Sequence, residues 1–313
     1  MNKGCDLKKI VVTSVAFSKN EFLIKKIKNL FPNTTLNVDA KRFNEDELIQ
    51  YLKDADGIIV GLDKIDHSIL VNLPKIKIVA KFGVGLDNIN LEDCAEQNVS
   101  VGWTGGVNKT SVAEMTLGFM LMFSRNLYTT SNQLKAGEWN KSGGFQLSGK
   151  TIGIIGLGHI GKELVRLIKP FGCTILVNDI IEQDDFCKSN NLFQSTKKTI
   201  YKECDIITIH TPLSDETLNM ITLDELKLMK KSAYLINTAR GKIINEIDLK
   251  YALQDKIIAG AALDVYEKEP PTDRDFLSLP NLICTPHIGG NAKEAVESMG
   301  MSAIRHLENY FKE

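Results

Sequence analysis

Six residues in the middle of the chain, Gly156-Leu157-Gly158-His159-Ile160-Gly161, restrict the fold more than any other stretch. The apolar run Thr151 to Ile155 precedes them. An amphipathic segment follows, Lys162 to Lys169, with Leu164, Val165, Leu167 and Ile168 apolar and Pro170 as its stop. Glycines at this spacing occur in turns of many folds, but between a buried strand and a helix each has its own task. Gly156 permits the sharp turn, Gly158 lets a phosphate approach the backbone, and Gly161 lets the helix lie close on the strand. The pattern predicts a parallel sheet whose strands are joined by crossing helices.

The rest of the chain keeps that rhythm. Strand-like runs at Ile10 to Val15, Gly57 to Gly61 and Ile76 to Lys81 alternate with helical patterns at Glu21 to Leu30, Asn44 to Leu52 and His67 to Asn72. A helix at Leu91 to Gln97 and a strand at Val99 to Gly102 follow. Asn108 to Lys135 reads as one long helix, opened around Ser111-Val112-Ala113-Glu114 and closed by Gly137, that bridges into a second domain. There the repeat resumes with strands at Thr151 to Ile155, Thr174 to Val177, Asp205 to Ile209, Ala233 to Asn237 and Ile258 to Ala261, ending near Thr285. Ala292 to Phe311 is helical in pattern and is expected to pack back on the first lobe. At 313 residues the chain exceeds one ordinary domain. The expected division is 1–106 with 291–313 as one domain and 107–290 as the other.

Composition excludes several classes of function. A net charge of -1 gives no basic footprint for a nucleic-acid backbone. The start, Met1 to Phe22, reads as a first strand and not as a signal segment. The most apolar helix candidate, Val112 to Phe123, is interrupted by Glu114, Thr116 and Gly118 and falls short of the roughly 20 residues a membrane span needs. The six cysteines, Cys5, Cys94, Cys173, Cys187, Cys204 and Cys284, form no C-x-x-C pair and have no clustered histidines to complete a zinc site. They read as reduced thiols of a cytoplasmic protein, and no metal is expected.

The free N–H groups at the start of the helix, at His159, Ile160 and Gly161, together with the positive helix end, favour a diphosphate. Seventeen residues separate Gly161 from Asp179, which follows the strand Thr174 to Val177. That is where a carboxylate accepts the hydroxyls of an adenosine ribose. Asp179 would repel a 2′-phosphate, and Ile180, Ile181 and Glu182 supply no cation for one. The expected cofactor is NAD and not NADP.

Further motifs come in order: Phe82-Gly83-Val84-Gly85-Leu86-Asp87-Asn88, Ser111-Val112-Ala113-Glu114, Ile236-Asn237-Thr238-Ala239-Arg240-Gly241, Ala262-Leu263-Asp264-Val265-Tyr266-Glu267-Lys268-Glu269-Pro270 and Thr285-Pro286-His287-Ile288-Gly289-Gly290. With these, the chain resembles the D-2-hydroxyacid dehydrogenase family over nearly its whole length. The resemblance implies two doubly wound α/β domains, a Rossmann NAD-binding domain (107–290) inserted in a flavodoxin-like substrate domain (1–106 and 291–313). It implies a catalytic triad of Arg240, Glu269 and His287. It places backbone groups of Val84 and Gly85 on the substrate carboxylate, His210, Thr211 and Pro212 along the cofactor pocket, and Thr238, Ala239, Asp264 and Gly289 beside the nicotinamide. Asp264 reads equally as a buried hydrogen-bond acceptor at a strand end. A homodimer through the NAD-binding domain is also implied, with Val112 to Phe123 contributing.

The chemistry of the triad agrees with that assignment. Reducing a 2-keto acid leaves an alkoxide that needs a proton from a group titrating near neutrality, and His287 suits that task. A neighbouring Glu269 would favour the imidazolium and orient its ring. The planar fork of Arg240 can hold a carboxylate in two hydrogen bonds. The remaining histidines, His67, His159 and His306, read as surface or helix residues, and His210 as pocket lining.

Within the family, Lys81 to Asn88 and Gly149-Lys150-Thr151-Ile152-Gly153 are most similar to the branch acting on 3-phosphoglycerate. Lys81 stands where that branch carries a phosphate-binding arginine and reads equally as an exposed strand-end residue, whereas Gly61 stands at another such position, with Lys64 nearby as a substitute. Glyoxylate or hydroxypyruvate reduction is the alternative. Regulation by serine through an appended domain is not expected, because the chain ends where the catalytic core does. A non-catalytic NAD sensor is the alternative from another class, and the intact triad argues against it.

Overall fold

The computed structural model describes residues 7–312, so Cys5 lies outside the described residues. The chain divides into two compact units. One takes in the described residues through Asn108 and those from Gly290 on; the other is Lys109–Gly289. Each is built on one all-parallel sheet.

In the first unit the strands are β1 (Ile10–Val12), β2 (Thr34–Leu36), β3 (Gly57–Val60), β4 (Ile78–Lys81) and β5 (Ser100–Gly102), ordered β2-β1-β3-β4-β5. That order is the flavodoxin-like one. With helices on both faces, central strands must be apolar throughout and not alternating, and Ile10, Val11, Val12, Ile58, Ile59 and Val60 are all fully buried. One face packs on Phe17, Leu23, Ile27, Ala303 and Leu307, the other on Leu48, Leu52, Ile65 and Leu73. The helix Lys293–Lys312 lies against β4 and the helix Glu21–Leu30. The strand expected from Ile10 to Val15 stops at Val12. Ser14 instead caps a helical turn, Val15–Ser18, its Oγ accepting from the N–H of Phe17 at 3.3 Å.

The second unit holds β6 (Thr151–Ile155), β7 (Thr174–Asn178), β8 (Phe193–Gln194), β9 (Ile206–Ile209), β10 (Tyr234–Asn237), β11 (Gly260–Leu263) and β12 (Leu282–Cys284). Their order is β12-β11-β10-β9-β6-β7-β8. The chain winds outward from β6 in both directions, so the switch point lies between β6 and β9, where open α/β sheets bind ligands. The strand expected at Ile258 to Ala261 runs instead over Gly260–Leu263, in register with Tyr234–Asn237; Ile258 is buried in the core outside the ladder.

The single helix expected from Asn108 to Lys135 is two helices, Lys109–Ser124 and Leu127–Lys135. Asn126 breaks it by adopting a left-handed conformation, φ +51°. The break is pinned by the loop after the second helix: Arg125 Nε donates to Gly143 O and Asn126 Nδ2 to Ser142 O, both at 3.1 Å. Among the described residues no helix is long and apolar enough to cross a membrane. The five described cysteines are free thiols. Burial raises the Cys94 thiol to about 11 and the Cys204 thiol to about 12.

Candidate active site

The glycine loop follows β6 at the switch point. Gly156 has φ +98°, and a Cβ there would lie 2.6 Å from the carbonyl of His210, which follows β9. A Cβ on Gly161 would stand 2.2 Å from Gly156 O. These two positions therefore admit only glycine: at Gly156 the backbone after β6 touches the backbone after β9, and at Gly161 the helix start lies on the carbonyl of Gly156. Gly158 differs: nothing lies within 4 Å of its absent Cβ. It is the N-cap of the helix His159–Ile168, and no side chain caps that helix. The first-turn N–H groups, those of His159, Ile160 and Gly161, thus face an open cradle.

Two buried polar atoms border the cradle without a protein partner, His210 Nδ1 and Thr211 Oγ1. An open glycine cradle, an uncapped helix N-terminus and orphaned polar atoms together fit a dinucleotide diphosphate. His210 Nε2 meets Thr208 Oγ1 at 3.0 Å, and burial pushes its imidazole down to about 3, which favours the neutral ring. Pro212 is exposed, its carbonyl accepting from Thr217 Oγ1 at 2.7 Å.

Asp179 follows β7. Its Oδ2 accepts the N–H of Leu157, inside the glycine loop, at 2.6 Å, and its Oδ1 accepts the N–H of Ile181 at 2.9 Å. The carboxylate is thus fixed to the loop that it flanks. Ile180 and Ile181 beside it are 99% and 65% exposed, and neither brings a cation.

The second group of residues follows β10, β11 and β12. Arg240 leaves the end of β10 through a turn held by Asn237, whose Oδ1 accepts the N–H of Ala239 at 3.0 Å and whose Nδ2 donates to Arg240 O at 2.8 Å. Thr238, buried, meets Thr116 Oγ1 at 3.2 Å. Arg240 Nη1 donates to Ala239 O at 2.7 Å. Glu269 and His287 come together: Oε2 and Nδ1 are 2.7 Å apart, both side chains half-buried.

The hydrogen bond that His287 Nδ1–H donates to Glu269 is the largest influence on His287 and raises it above the ordinary imidazole range. Burial opposes that shift, the charges of Glu269 and Asp264 support it, and Arg240 opposes it. For Glu269, burial pushes upward, but the His287 hydrogen bond and charge, the Tyr266 N–H and Arg240 bring the carboxyl below its usual range. Geometry therefore favours an ion pair of imidazolium and carboxylate, with Nε2 on the ring edge away from Glu269.

His287 itself has φ +53°, an uncommon backbone for a residue with a Cβ. Asp264, at the end of β11 and 1% exposed, holds that segment in place. Its Oδ1 accepts from Thr285 Oγ1 at 2.6 Å and from the N–H of Ile288 at 2.8 Å; its Oδ2 accepts the N–H of Gly289 at 2.7 Å. Both carboxylate oxygens are thus engaged with the His287 loop. Gly289 O in turn accepts from Ser111 Oγ at 2.6 Å.

In the first unit, Lys81 ends β4 and is 5% exposed. Its Nζ donates to Gly61 O at 2.6 Å and to Asn88 Oδ1 at 2.5 Å. Asn88 Nδ2 also donates to Asp63 O at 2.5 Å, so the segment after β4 is stitched to the segment after β3. Val84 and Gly85 lie in that segment, half-buried, with Val84 O accepting from the indole of Trp103 at 2.8 Å. Lys64 is largely exposed and paired with Asp66. His67, Asp93 and Glu96 cluster in this unit, but Asp93 Oδ2 already accepts the N–H of His67 at 2.7 Å and two of the three residues are exposed.

Two features of the second unit escape a motif reading. Gly241 has no room for a Cβ, which would fall 1.9 Å from Tyr266 C. This contact of backbone on backbone sets the segment bearing Arg240 against the one bearing Glu269. Glu246 and Glu267 also clasp reciprocally, each backbone N–H donating to the other's carboxylate, at 2.9 and 2.6 Å. The signal for the first was the glycine directly after Arg240; for the second there was none.

Comparison with known proteins gives the same picture. Residues 117–289 match the model of the D-isomer specific 2-hydroxyacid dehydrogenase NAD binding domain. The chain is 37% identical over 277 residues to D-3-phosphoglycerate dehydrogenase of Methanocaldococcus jannaschii, covering 87% of this chain and 53% of that one, so it spans about half of that relative's length. It is 34% identical over 305 residues to hydroxypyruvate reductase of Thermotoga maritima, covering 94% of this chain and 96% of the relative. Its fold matches D-lactate dehydrogenase of Aquifex aeolicus, solved with NAD and lactic acid, at a TM-score of 0.81 and 27% identity, over 96% of this chain and 94% of that one. The glycine cradle, the matched domain and these identities together place the chain in the D-isomer specific 2-hydroxyacid dehydrogenase family, as an NAD-dependent oxidoreductase.

Proposed function

We propose that the chain interconverts a short 2-keto acid and its D-2-hydroxy acid, with His287 as proton donor and acceptor. The observation that carries this reading is the 2.7 Å contact of His287 Nδ1 with Glu269 Oε2 beside Arg240, at the carboxyl edge that also carries the glycine cradle. An NAD held by the glycine cradle and Asp179 would supply the hydride for the carbonyl carbon. His287 gives its Nε2 proton to the carbonyl oxygen as charge develops there, and the neutral ring keeps Nδ1–H on Glu269. In the oxidative direction neutral His287 takes the hydroxyl proton. Arg240 holds the substrate carboxylate in its fork and polarises the carbonyl. Residues 1–106 with 291–313 are assigned to substrate binding, through Val84 and Gly85, and residues 107–290 to NAD.

Lys81 supports a substrate without a phosphate, glyoxylate or hydroxypyruvate: its ammonium is buried and turned toward Gly61 O and Asn88 Oδ1. Lys64, the other candidate cation, is paired with Asp66. The second reading is interconversion of 3-phosphoglycerate and 3-phosphohydroxypyruvate, favoured by the identity with the Methanocaldococcus enzyme. NADH oxidation measured with glyoxylate, hydroxypyruvate and 3-phosphohydroxypyruvate decides between them. A kcat/KM more than tenfold higher for the phosphorylated acid would overturn the first reading. His287→Ala should abolish turnover and leave NADH binding intact; an active variant rejects the assigned role.

A homodimer through the NAD-binding unit belongs to the same reading. Helix Leu127–Lys135 buries no residue, and Leu127, Leu134 and Trp139 are 52%, 57% and 79% exposed. An apolar face of this kind marks an association surface. Helix Lys109–Ser124, by contrast, turns Ala113, Phe119, Met120 and Phe123 into the core of its own unit. A monomer by light scattering contradicts the assignment.

A further inference from the structure

The geometry points to Tyr266 as a positioning residue that holds the Glu269–His287 pair in register through a closed circuit of four hydrogen bonds, an inference that rests on the proposed role of His287. Tyr266 N–H donates to Glu269 Oε1 at 3.2 Å. Glu269 Oε2 meets His287 Nδ1 at 2.7 Å. The N–H of His287 donates to Thr285 O at 3.1 Å. Thr285 O also accepts from the phenol of Tyr266 at 3.0 Å, which closes the circuit. One residue thereby fixes the second oxygen of the carboxylate with its backbone and the launching turn of the imidazole with its side chain.

The phenol is well placed for this task. It is buried, 6% exposed, and also lies 3.2 Å from Leu263 O, at the end of β11. Burial pushes its ionisation far up, so the hydroxyl remains a donor across the working pH range. Neither carbonyl depends on it for satisfaction. Thr285 O keeps the His287 N–H, and Leu263 O keeps the N–H of Thr285 at 3.0 Å. Removing the hydroxyl therefore orphans no backbone group, and Tyr266→Phe keeps the ring, the fold and the N–H to Glu269. What it removes is the strut between the two catalytic segments, together with the phenol's contact with the Cys284 thiol.

The loss is legible because the charges around His287 are unchanged by the substitution. Glu269 and Asp264 favour its protonated form, and Arg240 disfavours it. A change in the proton affinity of His287 in Tyr266→Phe then reports geometry alone. The hydrogen bond to Glu269 is the largest influence holding that affinity up, so loosening it should lower the affinity.

The test uses the full chain. The five histidines are followed by NMR titration without added nicotinamide, with the His287 resonance assigned by its absence in His287→Ala. Tyr266→Phe should lower the His287 midpoint by about half a unit and lower kcat about tenfold, while KM for NADH stays within twofold. A midpoint and kcat equal to wild type, or a lowered melting temperature with both unchanged, overturns the positioning role. The titration also separates this inference from the functional reading. If the wild-type chain reduces none of the three keto acids but the His287 midpoint still falls, the substrate assignment fails and the strut stands.

Discussion

Replacing Asp264 by Asn alters one oxygen for one nitrogen at a fully buried site, and its cost can be worked from the contacts. The carboxylate accepts three hydrogen bonds, from Thr285 Oγ1 and the N–H groups of Ile288 and Gly289. An amide can keep the first two on its oxygen, but its NH2 then faces the N–H of Gly289, donor against donor. The orphaned N–H costs about 1–3 kcal/mol, and exchanging two charge-assisted bonds for neutral ones costs about 1 kcal/mol each. Relief of a buried charge offsets part of this, which leaves a net loss of about 2–4 kcal/mol. For a unit of this size that is a fall in Tm of about 5–12 °C, measurable by calorimetry. The segment released carries His287 in its left-handed backbone, so kcat should fall at least tenfold in the same variant. A Tm within about 2 °C of wild type with kcat unchanged would refute the view that Asp264 organises the loop.

Three further outcomes follow from the same geometry. Keto-acid reduction needs the imidazolium, and the folded His287 titrates above its ordinary value, so reduction should persist above that value and fall as pH rises through the raised midpoint. Oxidation of the hydroxy acid should rise through the same midpoint, and Glu269→Gln should move both limbs to lower pH in initial-rate profiles. Asp179→Ala removes the anchor of Leu157 N–H together with the proposed ribose acceptor, so KM for NADH should rise about tenfold or more and the expected preference for NADH over NADPH should narrow in steady-state kinetics. Gly241→Ala places a Cβ 1.9 Å from Tyr266 C, and unfolding measurements should show a loss of about 3 kcal/mol or more. A Tm like that of wild type would mean the two backbones are free to part.

Much of this molecule is written in local sequence. Apolar runs without alternation announce buried parallel strands, and β6 occupies the expected Thr151–Ile155 because nothing in that segment competes with the ladder. The helix Glu21–Leu30 likewise has a 3.6-residue apolar period and an Asn20 cap whose side chain accepts from Leu23 N–H. Two of the short edge strands were not legible. Thr34–Leu36 and Phe193–Gln194 have no apolar run, since each pairs on one side only and packs little. The break at Asn126 was also hidden, because the residues that fix it, Ser142 and Gly143, lie some sixteen positions away.

For the site, residue types and their order determined the chemistry: a glycine cradle with an acid after the next strand, then Arg240, Glu269 and His287 after successive strands. Tertiary structure decided what surrounds each of these groups. His210 reads as pocket lining and His287 as the titrating acid; folding buries the first, which pushes its imidazole down, and holds the second against Glu269, which raises it. Lys81 reads as a cation for a phosphate, and folding turns its ammonium toward Gly61 O and Asn88. A side chain's type is fixed by the sequence alone, but its proton affinity and its partners depend on neighbours brought near by strands distant in the chain, and those distances exist only once the sheet has formed.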